Sequence, residues 1–291
     1  SIDLQEVIYD AQRKSNWYKE WRIEEGLEPY EFVGKYSVDN TVDDVVQDLR
    51  RELDIPEGFV RGLHSWSEHL NQLINKVEDK GILVLQSGIV GNNTHRKLSV
   101  DEFRGFSIAD NYAPLIFINS QDAITARIFT LVHELTHVWI GEGGISDPNY
   151  FKKGHPLKKI ETFCNKVAAE FLIPGKLLEK QWNRKIGAIE NTETLCRKFF
   201  VSQESVLQRA YNLGLVSDED FTETLIYIQS NQKKIKKDGG GNYYRNLITR
   251  NSKRFTQDVL YAVRSNRLTY IAAARLLNTQ PDKLPKIVEK L

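Results

Sequence analysis

Methionine is absent from all 291 residues, position 1 included, so the chain reads as a processed product or as part of a longer one. Cysteine is almost absent too. Cys164 and Cys196 cannot supply the framework of a disulfide-stapled secreted domain, and a reducing, cytoplasmic setting is the expectation. No apolar run approaches the roughly 20 residues that span a bilayer. Residues 1–9 are acidic rather than a basic-then-apolar export signal, so no membrane role is expected. Hydrophobic residues at 41% and charged ones at 27% exclude wholesale disorder and leave an ordinary globular protein of one to three domains.

Nor is there an excess of one charge, since 40 Lys+Arg stand against 39 Asp+Glu. That balance conceals an uneven distribution. Residues 233–291 carry 14 Lys+Arg against 4 Asp+Glu, a balance of +10, and the preceding part carries 26 against 35, or −9. Four lysines followed by Gly239-Gly240-Gly241 read as a flexible linker over 233–241. It would let a basic tail move independently and meet an acidic protein or nucleic acid.

Residues 3–25 pattern as an amphipathic helix, with Trp17 and Trp21 one turn apart. A second helix is expected over 41–53, stopped by Pro56 and Gly58, and a third over 63–79. The texture then changes. The continuous apolar runs Ile82-Leu83-Val84-Leu85 and Leu115-Ile116-Phe117-Ile118 read as buried strands. Between them, 102–109 is less apolar and suits a sheet edge, a place where a peptide could add as a further strand. Residues 122–141 form a core-facing helix, with Asp122 expected as N-cap and Gly141 as stop, and a further helix covers 157–172. Two segments resemble helix-turn-helix units, one around Val201-Ser202 and one over 268–284 around Asn278, and both are candidates for DNA contact.

The chemistry sits in the helix over 122–141. His133 and His137, four residues apart, project from one face and can grip a single ion. Glu134 is about 100° round the helix and suits a general base beside the ion's open position. Buried imidazoles and a carboxylate among Leu131, Val132, Leu135 and Val138 need a partner, and a metal supplies one. Glu161 and Glu170 both offer a third ligand. Glu161 is preferred, because Asn165 lies one turn later and can hold a ligand histidine by its outer nitrogen. The donor set favours Zn2+. Arg104 and Tyr150 are candidates for oxyanion stabilisation, and His155 for the cleft. His64, His69 and His95 read as surface or core histidines, and Cys164 as a small buried apolar group.

The run His133-Glu134-Leu135-Thr136-His137, followed by Glu161-Thr162-Phe163-Cys164-Asn165 and Ala168-Ala169-Glu170-Phe171-Leu172-Ile173-Pro174, resembles the ImmA/IrrE family of metallopeptidases. The resemblance extends upstream through Phe103-Arg104-Gly105-Phe106 and downstream through Val201-Ser202 and Gly214-Leu215 to the Gly239–Tyr244 junction. Where the thermolysin-like pattern has Asp after its ligand Glu, this chain has Asn165. The resemblance implies zinc on His133, His137 and Glu161, with Glu134 as the base. It also implies an α+β, zincin-like fold in which a small mixed sheet packs on the active-site helix. The expected division is a helical extension (1–40), the peptidase domain (41–187), a helix-turn-helix-like region (188–232) and the basic helical region (233–291). The implied activity is cleavage of a regulatory protein such as a phage-type or stress-response repressor. An antitoxin-like or transcription-regulating binding protein that keeps the zincin fold, with proteolysis secondary and a toxin as candidate partner, is the other reading.

Overall fold

The structure is a computed structural model that describes residues 1–60, 62–146, 158–231 and 242–291. Three helices open the chain: α1 (Ile2–Glu24), α2 (Val42–Glu52) and α3 (Trp66–Asp79). Strands β1 (Leu83–Ser87), β2 (Ile89–Val90), β3 (Asn93–Lys97), β4 (Gly105–Ile108) and β5 (Leu115–Asn119) follow, then α4 (Ile124–Trp139), the short β6 (Ile145–Ser146) and α5 (Lys158–Leu172). Helices α6 (Gly175–Gln181), α7 (Ala188–Phe199), α8 (Gln203–Asn212) and α9 (Asp218–Asn231) precede a C-terminal group. That group comprises α10 (Tyr243–Asn251), α11 (Lys253–Arg264), α12 (Tyr270–Leu276), a 3-10 turn at Pro281–Lys283 and α13 (Leu284–Val288). The expected linker, 233–241, lies outside the described residues. No described helix is long and apolar enough to cross a membrane.

The fold is α+β, with a mixed four-stranded sheet in the order β1-β5-β4-β6 and a small β2-β3 hairpin. β1 runs parallel to β5, whereas β4 is antiparallel to both β5 and β6. Alternate residues of β1 and β5 face opposite ways, as the period of a strand requires. Val84, Ile116 and Ile118 join one core with Leu131, Leu135 and Val138 of α4 and with residues of α2, α3 and α5. Leu83, Leu85, Leu115 and Phe117 join a second core with α1 and α10–α13. Continuous apolar runs in this sheet are thus the mark of strands covered on both faces.

Two expectations change here. The segment 102–109 is not an edge: Phe106 pairs with Phe117 on one side and with Ile145 on the other, and Ser107 N–H donates to the Gly144 carbonyl at 3.1 Å. β6 covers it with only two residues, too few to show an alternating pattern. A peptide therefore cannot add along β4 without displacing β6.

The basic tail is also not independent. Phe255 of α11 is fully buried and meets Trp17 edge-on at 5.6 Å and Tyr18 at 6.2 Å. Arg254 donates to the Tyr18 hydroxyl at 2.8 Å and to the Glu78 carbonyl at 3.2 Å, which ties α11 to α1 and α3. Small residues Ala273 and Ala274 let α12 pack closely into the same core.

Smaller differences have local causes. Ala123, not Asp122, occupies the N-cap of α4, because one Asp122 oxygen pairs with Arg104 at 3.4 Å and the other accepts only the adjacent Ala123 N–H. α3 begins at Trp66 rather than at 63, where the Ser65 hydroxyl accepts the Glu68 N–H at 3.1 Å. Both helix-turn-helix-like pairs are present as packed helices, α7–α8 joined through Phe200 in the left-handed region and α12–α13 through Asn278 in the same conformation.

Candidate metal centre

α4 is buried along its second half because it lies between the sheet and α5. His133, Glu134 and His137 are 6%, 0% and 4% exposed, a placement that polar groups tolerate only with partners. The two imidazoles lie one turn apart, with ring centroids 4.9 Å from each other and Nε2 atoms 3.2 Å apart. Glu161, on the first turn of α5, reaches both: Oε2 is 3.1 Å from His133 Nε2, and Oε1 is 3.1 Å from His137 Nε2. One donor atom from each of the three lies within 4.8 Å of the others, a group able to hold a metal ion.

Each imidazole is anchored by its other nitrogen. His133 Nδ1–H donates to Asn165 Oδ1 at 3.0 Å, one turn beyond Glu161, and His137 Nδ1–H donates to the Glu142 carbonyl at 2.9 Å. Those bonds select the tautomer that leaves both Nε2 lone pairs facing the carboxylate. The Glu142 carbonyl comes within reach because Gly141, at φ +70°, turns the chain back at the end of α4. Gly141 also lies against Gly34, and the loop there docks through Gly34 N–H to the Val138 carbonyl at 3.1 Å and Tyr36 N–H to the Trp139 carbonyl at 3.1 Å. Below it, buried Asp48 accepts from Trp139 Nε1 at 3.0 Å and from Lys35 at 2.8 Å. Burial works against ionising Asp48, but these bonds and the charges of Lys35 and Arg51 hold its carboxyl below the usual range.

The electrostatics suit a cation. Burial opposes ionisation of Glu161, yet His133 and His137 hold its carboxyl down at about 2. Burial also opposes a charge on His137, but Cys164, Glu161 and Glu134 around it raise the imidazole to about 11. Positive charge is therefore favoured in the space the three side chains enclose. Cys164 itself is fully buried, and burial pushes its thiol up against the pull of His137.

Glu134 faces β4. A Cβ added to Gly105 would stand 3.4 Å from Glu134 Cγ, but only 2.6 Å from Thr130 Cγ2 and 2.8 Å from the Phe117 carbonyl oxygen. Gly105 thus sets how closely α4 approaches the sheet. Gly105→Ala is expected to destabilise the chain by about 1–3 kcal/mol and to lower activity as α4 shifts Glu134. Thermal melting checks this, and a wild-type melting temperature would remove Gly105 from the account.

The remaining candidates lie elsewhere. Glu170 pairs with Arg209 of α8 and accepts the Gly175 N–H at 3.2 Å, fastening α5 to α6 and α8 rather than joining the metal group. Arg104 is engaged by Asp122. Tyr150 and His155 are outside the described residues. His64 and His95 are exposed. His69 is buried against the Phe200 carbonyl, and burial lowers its imidazole to about 4 despite that contact. Sequence reasoning missed Asp48 and Glu142: the first acts through Trp139, and the second through its backbone carbonyl, which no side-chain motif can signal.

Residues 77–211 match the family model of the IrrE N-terminal-like domain, peptidase family M78. Residues 251–290, from α11 to α13, match a domain of unknown function. A comparison with curated proteins found no match. The matched stretch runs from the end of α3 to α8 and contains all four of His133, Glu134, His137 and Glu161. This part of the chain is an IrrE N-terminal-like domain, a metallopeptidase-type domain of the ImmA/IrrE family.

Proposed function

We propose that the chain is a zinc-dependent endopeptidase that cleaves a regulatory protein such as a repressor, with His133, His137 and Glu161 as metal ligands and Glu134 as general base. The observation that carries this reading is the convergence of two Nε2 atoms and one carboxylate, each imidazole held from behind by Asn165 or Glu142. Two imidazoles and one carboxylate form the donor set of catalytic zinc sites that keep a position open.

When bound there, zinc supplies a Lewis acid that polarises a peptide carbonyl and lowers the pKa of a water to about 7. Glu134 is held by α4 next to His133, so its carboxylate is placed to take the water's proton and return it to the leaving amine. Asn165 and the Glu142 carbonyl hold the imidazoles by Nδ1 and orient Nε2 towards Glu161, where a metal ion would take the place of a proton. The burial of α4 excludes bulk water from this exchange.

Metal analysis tests the ligand set. Purified protein is expected to hold about one zinc per chain. Glu161→Ala is expected to lower occupancy steeply, and Glu170→Ala to leave it unchanged; full zinc content in Glu161→Ala would overturn the assignment. Comparison of cleaved N-termini between cells carrying the wild-type and the Glu134→Gln chain tests the substrate class. A regulatory protein cut only in the wild-type cells is expected. Equal profiles from a zinc-loaded wild type would favour the antitoxin-like reading in which binding is primary and proteolysis secondary.

A further inference from the structure

Behind the sheet, on the face away from His133, a cleft of about 490 Å³ opens between α1, the β2-β3 hairpin, α10 and the turn after α12. Its size falls within the range of small-molecule sites, roughly 300–1,000 Å³. Leu85 and Phe117 supply an apolar floor from β1 and β5. The walls are polar and carry more cations than carboxylates: Arg13, Lys14, Arg96 and Arg250 against Glu6 and Asp10.

The pairing of these groups leaves charge over. Arg96 is satisfied by Asp3 and Glu6. Asp10 alone faces both Arg13 and Lys14, and Lys14 is almost wholly buried at 1% exposure. Arg250, half-buried, donates to the Asn92 side-chain oxygen at 2.9 Å and has no carboxylate within ion-pair distance among the described residues. Burial lowers both Lys14 and Arg250, the mark of cations held away from water. Asn251, 3% exposed, spends its amide hydrogens on the Leu247 and Leu277 carbonyls and leaves Oδ1 as a buried acceptor with no hydrogen-bond donor among the described residues. An unmade hydrogen bond of that kind costs about 1–3 kcal/mol unless something donates to it.

We propose that this cleft binds a small organic oxyanion of about mononucleotide size: its phosphate or carboxylate group on Arg250, with the charge of buried Lys14 adding to the positive field, and its body over Leu85 and Phe117. Guanidinium is suited to such a group because its planar fork matches two oxyanion oxygens at once. Every wall belongs to a different segment, so the ligand would join α1, the hairpin and the C-terminal helices to the back of the peptidase sheet. A purely structural network would bridge the same segments, so the test must read binding rather than stability.

Titration calorimetry of the full-length protein with adenosine 5′-monophosphate, citrate and inorganic phosphate reads it directly. One organic oxyanion is expected to bind at one per chain, and inorganic phosphate, lacking a body, about tenfold more weakly. Preference for the nucleotide assigns a phosphate ester, and preference for citrate a carboxylate. Arg250→Gln is expected to weaken binding at least about tenfold, and Arg250→Lys, which keeps the charge but not the fork, to restore only part of it. Lys286→Gln, which removes the same charge on the surface of α13, is expected to change nothing. No binding of either organic probe at millimolar concentration would overturn the proposal, as would equal affinity for inorganic phosphate or unchanged binding by a folded Arg250→Gln.

Discussion

Replacing Glu134 by glutamine is expected to lower peptide-bond hydrolysis by about 10²–10⁴-fold, the usual contribution of a positioned general base. The amide keeps the shape and the packing against Gly105 but cannot accept a proton at neutral pH. Zinc content should stay at the wild-type level, because His133, His137 and Glu161 form the group without Glu134. Parallel measurement of metal content and turnover on a cleavable protein separates the two effects. Near-wild-type turnover by a fully loaded variant would show that another group takes the proton. Loss of zinc together with activity would instead make Glu134 part of the ligand set.

Ending the chain at Gln232 is expected to prevent folding of the peptidase domain rather than release a dispensable recognition module. The truncation removes Phe255, Val259, Leu260, Leu277, Leu284 and Ile287, all buried in the core behind the sheet. Fully burying each such side chain is worth about 1.5–3 kcal/mol, so the six together rival the about 5–15 kcal/mol that stabilises an ordinary domain. Leu83, Leu85, Leu115 and Phe117 would then face water, and the partners of Tyr18 and Glu78 on α11 would be gone. Circular dichroism melts and zinc content of the truncated chain check this. A cooperative melt near that of the full chain, with zinc retained, would return the tail to the role of an independent appendage. A milder probe is Phe255→Ala, expected to cost about 3–5 kcal/mol because the ring fills the space between Trp17 and Tyr18.

The metal group was legible because its chemistry is largely local. An i, i+4 spacing on a helix places two imidazoles on one side whatever surrounds them, and Glu161 with Asn165 repeats that logic on α5. The choice of Glu161 over Glu170 also rested on spacing, and the structure brings Glu161 to both histidines while Glu170 turns to Arg209. Less legible was the edge of the sheet. β4 has the composition of an outer strand, yet two residues of β6 and the Gly144 carbonyl take its hydrogen bonds. Pairing across some forty residues leaves no local trace when the partner is that short.

By itself, then, the sequence determined the helices and strands with strong periodicity, the grouping of His133, His137 and Glu161, and the need for cover on both faces of β1 and β5. A strand with no polar face cannot leave either side in water. It did not determine what provides that cover. The glycine run and the charge split at 233–241 suggested a detached tail, whereas the tertiary structure places α11 and α12 with α1 against the very strands that carry α4 on their other side. Charge patterns describe the solvent-facing half of those helices. Docking is decided by their apolar half, through burial and shape complementarity between segments more than 200 residues apart, such as Tyr18 and Arg254, and these exist only once the chain has folded.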